Sequence, residues 1–283
     1  MKKKLLAVGV AATLGALSGV SNAAITVAQN GVGHINILPY YSVQSGNTTL
    51  ISIANTDEVN GKAVKVRFRG AQFSDDVFDF QVFLSPADVW TAAVSLDGTV
   101  ARLATSDKSC TLPVSVNQQF VTARLLDANK AQGTREGYVE IINMGDIAPA
   151  SAIYTATKHV NGVAPCTTSV LIGNAATPND LTAGLTAPTS GLTSFATIIN
   201  VASSKAFTIP GTALVQSTAV PVRYSRQANL TIGTASFGSV PPAFAPAQTA
   251  DSVFNPATGN VTMYEFDLPD LSTPYGTADA TAQ

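Results

Sequence analysis

The sequence predicts a mainly β protein, with an antiparallel β-sandwich-like core, long loops and one short helix. Three observations carry this prediction. Apolar and polar residues alternate between Lys62 and Trp90 with a period of two, as in a strand with one buried face. Short β-prone runs recur along the chain between Gly, Asn, Asp and Ser residues that suit turns. Helix start and stop signals coincide once, at about 149–161.

The N-terminal sequence predicts a secretory signal peptide that covers residues 1–23. Lys2–Lys4 precede an apolar run from Leu5 to about Leu17, and Ser21–Ala23 places small residues around the cleavage position. A membrane span is the alternative, but the run is shorter than the roughly 20 apolar residues that a bilayer requires. We therefore expect an exported mature protein at the cell surface or in the extracellular space.

Residues 24–172 form the predicted N-terminal β region, and its clearest part is a hairpin. Apolar and cationic side chains alternate in the first strand, Val64, Val66 and Phe68 against Lys65, Arg67 and Arg69. A turn at 70–74 follows, and the second strand keeps the period with Phe78, Phe80, Val82 and Leu84. These patterns predict a half-buried antiparallel sheet with cations on its solvent side and a third strand near Trp90.

The remaining elements of this region flank the hairpin. Strand-like runs at 35–41 and 49–53 precede it, and a run at 137–143 follows it. Pro149 suits the first turn of the predicted helix and Gly162 suits a left-handed stop after it. We expect its inward face to be formed by Ile153, Tyr154 and Thr157.

The composition changes at 173–191, where Ala, Thr, Asn, Pro and Gly predict a linker or long loop. Strand-like runs at 193–201 and 260–268 make 192–270 a C-terminal β region. This region is either a second domain or part of the same sandwich. The small, polar residues 271–283 predict a flexible tail.

Charge excludes one class of partner. Removing Lys2–Lys4 leaves 13 of the 16 Lys and Arg residues against 18 Asp and Glu residues, a net charge near −5. Nucleic acid is therefore not an expected partner, because its binding requires a basic surface. With 12% charged and 46% hydrophobic residues, the chain has ample material for a core.

Cys110 and Cys166 are the only cysteines, and an even number in an exported protein favours a structural disulfide. The alternative, a reactive or metal-binding thiol pair, lacks a nearby histidine and a C-x-x-C spacing. The helix is expected to deliver Cys166 back toward Cys110.

No motif of catalysis or cofactor binding occurs. His34 and His159 are the only histidines, and neither lies in a hydrolase or zinc-protease motif. We therefore predict a protein that is not an enzyme and has no cofactor. Exposed Trp90, Tyr40 and Tyr41 would suit sugar stacking, but we favour core packing for Trp90 because it follows an apolar strand.

An acidic group in the hairpin leaves calcium open. Asp75, Asp76 and Asp79 are close in sequence, and hard cations take several oxygen ligands from such groups. The EF-hand order is absent, however, and Asp79 shares a predicted sheet face with the cations of the first strand. Cross-strand ion pairs are the simpler explanation.

Four stretches resemble a known family: INILPYYSVQSGNTTLISIANTD, GKAVKVRFRGAQFSDDVFDFQVFLSPADVW, GYVEIINMGDIA and IYTATKHVNGVAPC. Taken in order, they resemble Gram-negative exported proteins of the surface-layer type, which include proteins of surface-derived tubular structures. The similarity covers most of Ile35–Leu268. It implies a structural role, with many copies assembling on the outer surface and no catalytic residues.

The predicted function is thus a non-catalytic structural protein that self-associates into a surface layer or surface-derived structure. Its expected partners are further copies of itself and other components of the outer cell surface, and we expect no membrane-spanning segment. The alternative is a secreted binding module or adhesin subunit that recognises a glycan or protein. The predicted assembly face is the cationic side of the hairpin, Lys65, Arg67 and Arg69.

Overall fold

A computed structural model gives the fold of the protein. The structure describes residues 25–71, 74, 76–122, 131–167, 170–171, 184–216, 249–255 and 260–266. The predicted signal peptide and the predicted tail lie outside this range. The described residues confirm a mainly β fold with antiparallel sheets.

Bounds are described for fifteen strands, for one α-helix, α1 (Ala152–Thr157), and for two 3₁₀-helices, Gln44–Gly46 and Gln132–Thr134. The strands in chain order are β1 (Ile25–Val27), β2 (Ile35–Ser42), β3 (Asn47–Asn55), β4 (Gly61–Gly70), β5 (Asp76–Leu84), β6 (Val89–Asp97), β7 (Val100–Ala104), β8 (Cys110–Leu112), β9 (Glu136–Ile147), β10 (Leu185–Thr186), β11 (Leu192–Asn200), β12 (Lys205–Pro210), β13 (Thr212–Gln216), β14 (Thr249–Asn255) and β15 (Asn260–Phe266).

The strands form two large sheets and a separate pair. The first sheet has the order β1-β13-β2-β9-β4-β5-β8, with β10 paired to β9. The second sheet has the order β12-β11-β3-β6-β7. Strands β14 and β15 pair with each other. The C-terminal strands β11 and β13 pair with β3 and β2, so residues 192–216 complete the same sandwich as the N-terminal region.

The predicted hairpin is confirmed as β4 and β5. Val66 lies opposite Phe80 and Phe68 lies opposite Phe78, which is the register that the alternation requires. The predicted third strand, β6, belongs to the other sheet, where it pairs with β3. The chain crosses the sandwich between Leu84 and Val89, so that Trp90 packs on Phe80 from the opposite side, with ring centroids 5.3 Å apart.

An apolar core fills the space between the two sheets. Its aromatic centre joins four rings, with Phe120 lying 4.9 Å from Phe68 and 5.1 Å from Phe78, and Tyr41 lying 5.4 Å from Phe68 between ring centroids. Ile51, Ile53 and Trp90 reach the same core from the second sheet. Each large side chain buried here contributes roughly 1.5–3 kcal/mol.

A second core lies on the other side of the first sheet. Phe83 and Ile147 pack there against Ile153 of α1 and against the disulfide segment. All nine residues of β5 are therefore buried. The prediction of a half-buried hairpin was wrong, because alternation reveals two chemically different faces without revealing that both are covered.

Helix α1 is shorter than the predicted 149–161. It begins after Ser151, whose Oγ accepts a hydrogen bond from the Tyr154 amide at 3.1 Å, as an N-cap does. It ends before Lys158, whose backbone is extended. Gly162 instead lies in a turn between the bridged residues Val160 and Val163. Of the predicted inward residues, Ile153 and Thr157 are buried and Tyr154 is partly buried.

Candidate functional site

The predicted disulfide between Cys110 and Cys166 is confirmed, with a Cα–Cα distance of 5.2 Å. It connects β8 with the segment that follows α1. The Cys166 amide also donates to the Ala156 carbonyl oxygen at 2.8 Å, which fixes this segment against the helix. The disulfide and α1 together cover the second core, so the role of the disulfide is structural.

The predicted cationic assembly face is not a solvent face. Lys65 is 1% exposed and Arg67 is 5% exposed, while Arg69 is also largely covered. Lys65 Nζ lies 2.6 Å from Asp79 Oδ1, and Arg67 lies 2.9 Å from Asp76 and 3.1 Å from Glu140. The prediction of an exposed contact surface was therefore wrong, because these cations are held in internal ion pairs between β4, β5 and β9.

Asp76 and Asp79, two of the three calcium candidates, take part in these ion pairs. Asp75 lies outside the described residues. Within the part of the chain that the structure describes, no group of three acidic, histidine or cysteine side chains has the arrangement of a metal site. Cross-strand pairing, the simpler explanation for Asp79, matches this geometry.

A second ionic cluster surrounds Lys62, which is fully buried at the start of β4. Its ammonium group lies 2.8 Å from Asp146 Oδ1 and 3.3 Å from Asp57 Oδ2. It also donates to Thr189 Oγ1 at 2.8 Å and to the Ser190 carbonyl oxygen at 3.3 Å. One side chain thus ties β9 and the turn after β3 to the segment that leads into β11.

The acidic partners of Lys62 are themselves held in place. Asp146 Oδ1 accepts a further hydrogen bond from Asn143 Nδ2 at 2.8 Å. Burial would raise the pKa of Asp57, but hydrogen bonds from Asn60 and Val59 and the charge of Lys62 outweigh it and lower that pKa to about 2. Asp57 is therefore ionised throughout the physiological range.

Ser85, Asp88 and His159 lie together but do not have the geometry of a catalytic triad. Ser85 Oγ is 2.9 Å and Asp88 Oδ2 is 3.4 Å from the same ring nitrogen, Nδ1 of His159. A triad needs the serine and the carboxylate on opposite ring nitrogens. Ser85 Oγ also accepts from the His159 amide at 3.0 Å and lies 3.0 Å from the Thr157 carbonyl oxygen. The trio joins the end of β5 to the end of α1.

The other predicted ligand-binding side chains are dispersed. Trp90 and Tyr41 are fully buried, which confirms core packing for Trp90, and Tyr40 is the exposed member of the tyrosine pair. Tyr40 donates to Glu136 at 2.8 Å. Burial lowers the pKa of His34, whose Nδ1 accepts from the Gln216 amide at 3.3 Å. The structure does not gather these residues into one site.

Protein-family models, curated proteins and solved structures were compared with this chain, and none matches it. The resemblance to surface-layer proteins therefore stays a prediction. Among the residues that the structure describes, no helix has the length and apolar character needed to cross a membrane.

The second sheet presents a feature that sequence reasoning missed, an outward surface almost without charge. We call it the outer face: the outward side chains of β12, β11, β3, β6 and β7. Its centre consists of two rows across three strands, Thr91–Ser52–Phe195 and Ala93–Leu50–Thr197. The alternate residues on these strands, such as Ile51 and Ile53, point into the core. The sequence feature that corresponds to the outer face is the absence of charged residues from β3 and β11, NTTLISIAN and LTSFATIIN.

Charges on this sheet lie at its margins. Asp97 and Arg102 form an ion pair of 3.4 Å at the corner between β6 and β7. Lys205 begins the edge strand β12, and the five strands contain no other charged residue. Leu50 and Phe195, by contrast, are 40% and 48% exposed near the middle. The outer face therefore combines apolar side chains with small hydroxyl side chains, and it suits association more than catalysis.

Proposed function

We propose that this chain is a non-catalytic structural protein of the outer cell surface that self-associates. The observation that carries the proposal is the outer face, a broad sheet surface from which charge is absent except at its margins. Leu50 and Phe195 are exposed next to each other on this uncharged surface, and exposed apolar surface is characteristic of interaction sites. Since the resemblance to surface-layer proteins implies assembly of many copies, a second copy is the partner that the proposal names.

The internal arrangement supports a structural role. The charged residues of β4 and β5 form ion pairs inside the molecule, and the disulfide closes the second core. In the polar trio around His159, the Ser85 hydroxyl is occupied by neighbouring backbone, since it accepts from the His159 amide and donates to the Thr157 carbonyl oxygen. These features maintain a rigid module and leave the outer face as its distinctive surface.

Export is the second part of the proposal. A disulfide fits an oxidising compartment, and the predicted signal peptide supplies the route. Surface location is testable on intact cells: an antibody against the mature protein should label them without permeabilisation. Labelling that appears only after lysis would contradict the surface location.

Sedimentation velocity of the purified mature chain, with its disulfide intact, tests self-association. We expect the weight-average sedimentation coefficient to rise with protein concentration, in calcium as well as in EDTA. A single monomeric species over a hundredfold concentration range in both buffers would contradict the proposal.

The alternative of a binding module is supported by exposed Tyr40, whose neighbour Tyr41 is buried. A glycan array probed with the mature chain distinguishes this alternative. Retention of a glycan that is lost in the Tyr40→Ala variant would favour it over self-association.

A further inference from the structure

We infer that the outer face pairs with the outer face of a second copy, in a face-to-face arrangement around a two-fold axis. This inference rests on the proposed function and names the surface through which self-association occurs. A two-fold interface uses the same patch on both subunits, so the patch must be compatible with itself.

Electrostatics favour this surface over the rest of the molecule. The mature chain has a net charge near −5, the 18 acidic residues exceeding the 13 basic ones that remain without Lys2–Lys4, so copies repel one another on average. The side chains of the two central rows carry no charge, and the Asp97–Arg102 pair at the corner is neutral as a unit. Asp107 lies beside these rows, where its carboxylate accepts a hydrogen bond from the Thr91 amide at 3.1 Å. Two outer faces can therefore meet over Leu50 and Phe195 without burying like charges.

The size of the outer face lies at the lower end of the range for subunit interfaces. Strands β3, β6 and β11 have nine residues each, β12 has six and β7 has five. With a rise of about 3.3 Å per residue and about 4.8 Å between strands, the sheet covers roughly 600 Å². A standard interface buries about 800 Å² on each partner, so this area suits a reversible dimer.

The arrangement of large and small side chains on the outer face suits packing of one sheet on another. Leu50 lies opposite Thr197, and Phe195 lies opposite Ser52, so the two large side chains stand diagonally next to each other on neighbouring strands. Small side chains, including Thr91 and Ala93, flank them. Facing sheets pack about 10 Å apart with interdigitated side chains, which this mixture of large and small residues allows.

Association through the edge of the same sheet is opposed by its edge strand. Strand β12 begins with Lys205 and ends with Pro210. Lysine and proline are residues that discourage edge-to-edge pairing, because one brings charge and the other lacks an amide donor. The face, and not this edge, is therefore the surface available for contact.

The test compares wild type with Leu50→Lys and Phe195→Lys, and with two controls, Val114→Lys and Val160→Lys. The control positions are 66% and 61% exposed, are apolar and lie outside the second sheet. We expect each outer-face variant to weaken association at least tenfold in sedimentation velocity, while both controls associate like wild type. Far-UV circular dichroism and the thermal midpoint establish that each variant is folded.

A second measurement does not depend on lysine substitutions. No free cysteine is present among the described residues, so Thr197→Cys introduces a single probe at the centre of the outer face. A bis-maleimide should cross-link Thr197→Cys into covalent dimers in a concentration-dependent manner, whereas Val114→Cys should stay monomeric.

The outcomes separate this inference from the proposed function. A monomeric wild type overturns both. Wild-type association that persists unchanged in the outer-face variants, with no Thr197→Cys cross-link, overturns the inference and leaves self-association standing through another surface. Selective loss in the outer-face variants together with the Thr197→Cys cross-link supports it.

Discussion

Replacing Lys62 by Met should destabilise the protein by about 3 kcal/mol at neutral pH. Breaking a buried ion pair costs roughly 3–5 kcal/mol, because the remaining charge is left buried without compensation. After Lys62→Met that charge is Asp146, which is 1% exposed. Asp146 keeps hydrogen bonds from Asn143 and Thr189, at 2.8 and 2.5 Å, which places the expected cost at the lower end.

Urea unfolding followed by tryptophan fluorescence provides the assay. Trp90 is the single tryptophan of the chain and is fully buried, so its emission reports on the sandwich core. For a domain of this size, with a urea m-value of about 2–3 kcal/mol/M, the midpoint should fall by about 1–1.5 M. Lys108→Met is the matched control, since Lys108 is exposed, and its midpoint should equal that of wild type.

A double variant tests the cause of the loss. In Lys62→Met/Asp146→Asn the acidic partner of Lys62 that stays charged is Asp57, which is more exposed than Asp146, so the cost should fall to about 1 kcal/mol, the range of an ordinary hydrogen-bond loss. A loss below 1 kcal/mol in the single variant would show that Lys62 is not a buried, paired charge. A double variant as unstable as the single one would refute uncompensated charge as the reason.

Three further predictions address other parts of the fold. Reduction of Cys110–Cys166, which are separated by 56 residues, should lower stability by about 4 kcal/mol, as urea unfolding with and without dithiothreitol will show. Because folding lowers the pKa of Asp57, the ionised carboxylate stabilises the folded state above about pH 4, and this stabilisation is lost toward pH 2. The difference in urea midpoint between wild type and Asp57→Asn should therefore shrink from about pH 4 to pH 2 and stay constant above about pH 5. Ser151→Ala removes the N-cap of α1 and should lower the free energy of unfolding by about 1 kcal/mol, whereas Ser151→Thr, whose hydroxyl can both accept from Tyr154 and donate to Ala148, should retain most of it; thermal unfolding measures both.

The hairpin was predictable because its pattern is local. Val66 and Phe68 follow the two-residue period of a strand, and the register with Phe80 and Phe78 follows once those side chains share a core. The disulfide was predictable from the even number of cysteines together with the export that the N-terminal sequence predicts. Neither prediction required knowledge of contacts between distant strands.

The covering of the first sheet was not predictable in the same way. Alternation distinguishes the Lys65 side from the Val66 side, but it contains no information on what packs over the Lys65 side. Whether the Lys65 side of β4 is covered depends on contacts between residues distant in sequence. One example is the pairing of β4 with β9, which brings Glu140 to Arg67. The alternating charged residues of β4 therefore predicted a solvent-exposed face, whereas in the fold they form buried ion pairs.

The sequence of the outer-face strands suggests burial, although one side of these strands is exposed. In LTSFATIIN, Phe195 and Ile198 are both apolar, yet Phe195 is exposed and Ile198 is buried. A strand in which both faces are free of charge resembles one buried on both sides. The charged strands β4 and β5, which the sequence marks as a contact surface, are covered in the fold, whereas the uncharged second sheet is exposed on its outer side.

The ionic network and the uncharged face are consequences of one arrangement of strands. A slip of one residue in β4 would turn Lys65 and Arg67 into the aromatic core and separate them from Asp79 and Asp76, so this wrong register is strongly penalised. A fixed first sheet gives the second sheet a defined support on its inner side. The outer face then keeps one shape from copy to copy, which repeated association through identical surfaces requires. We expect internal ion pairs of this kind to contribute specificity of structure more than stability, and the proposed self-association would depend on that specificity.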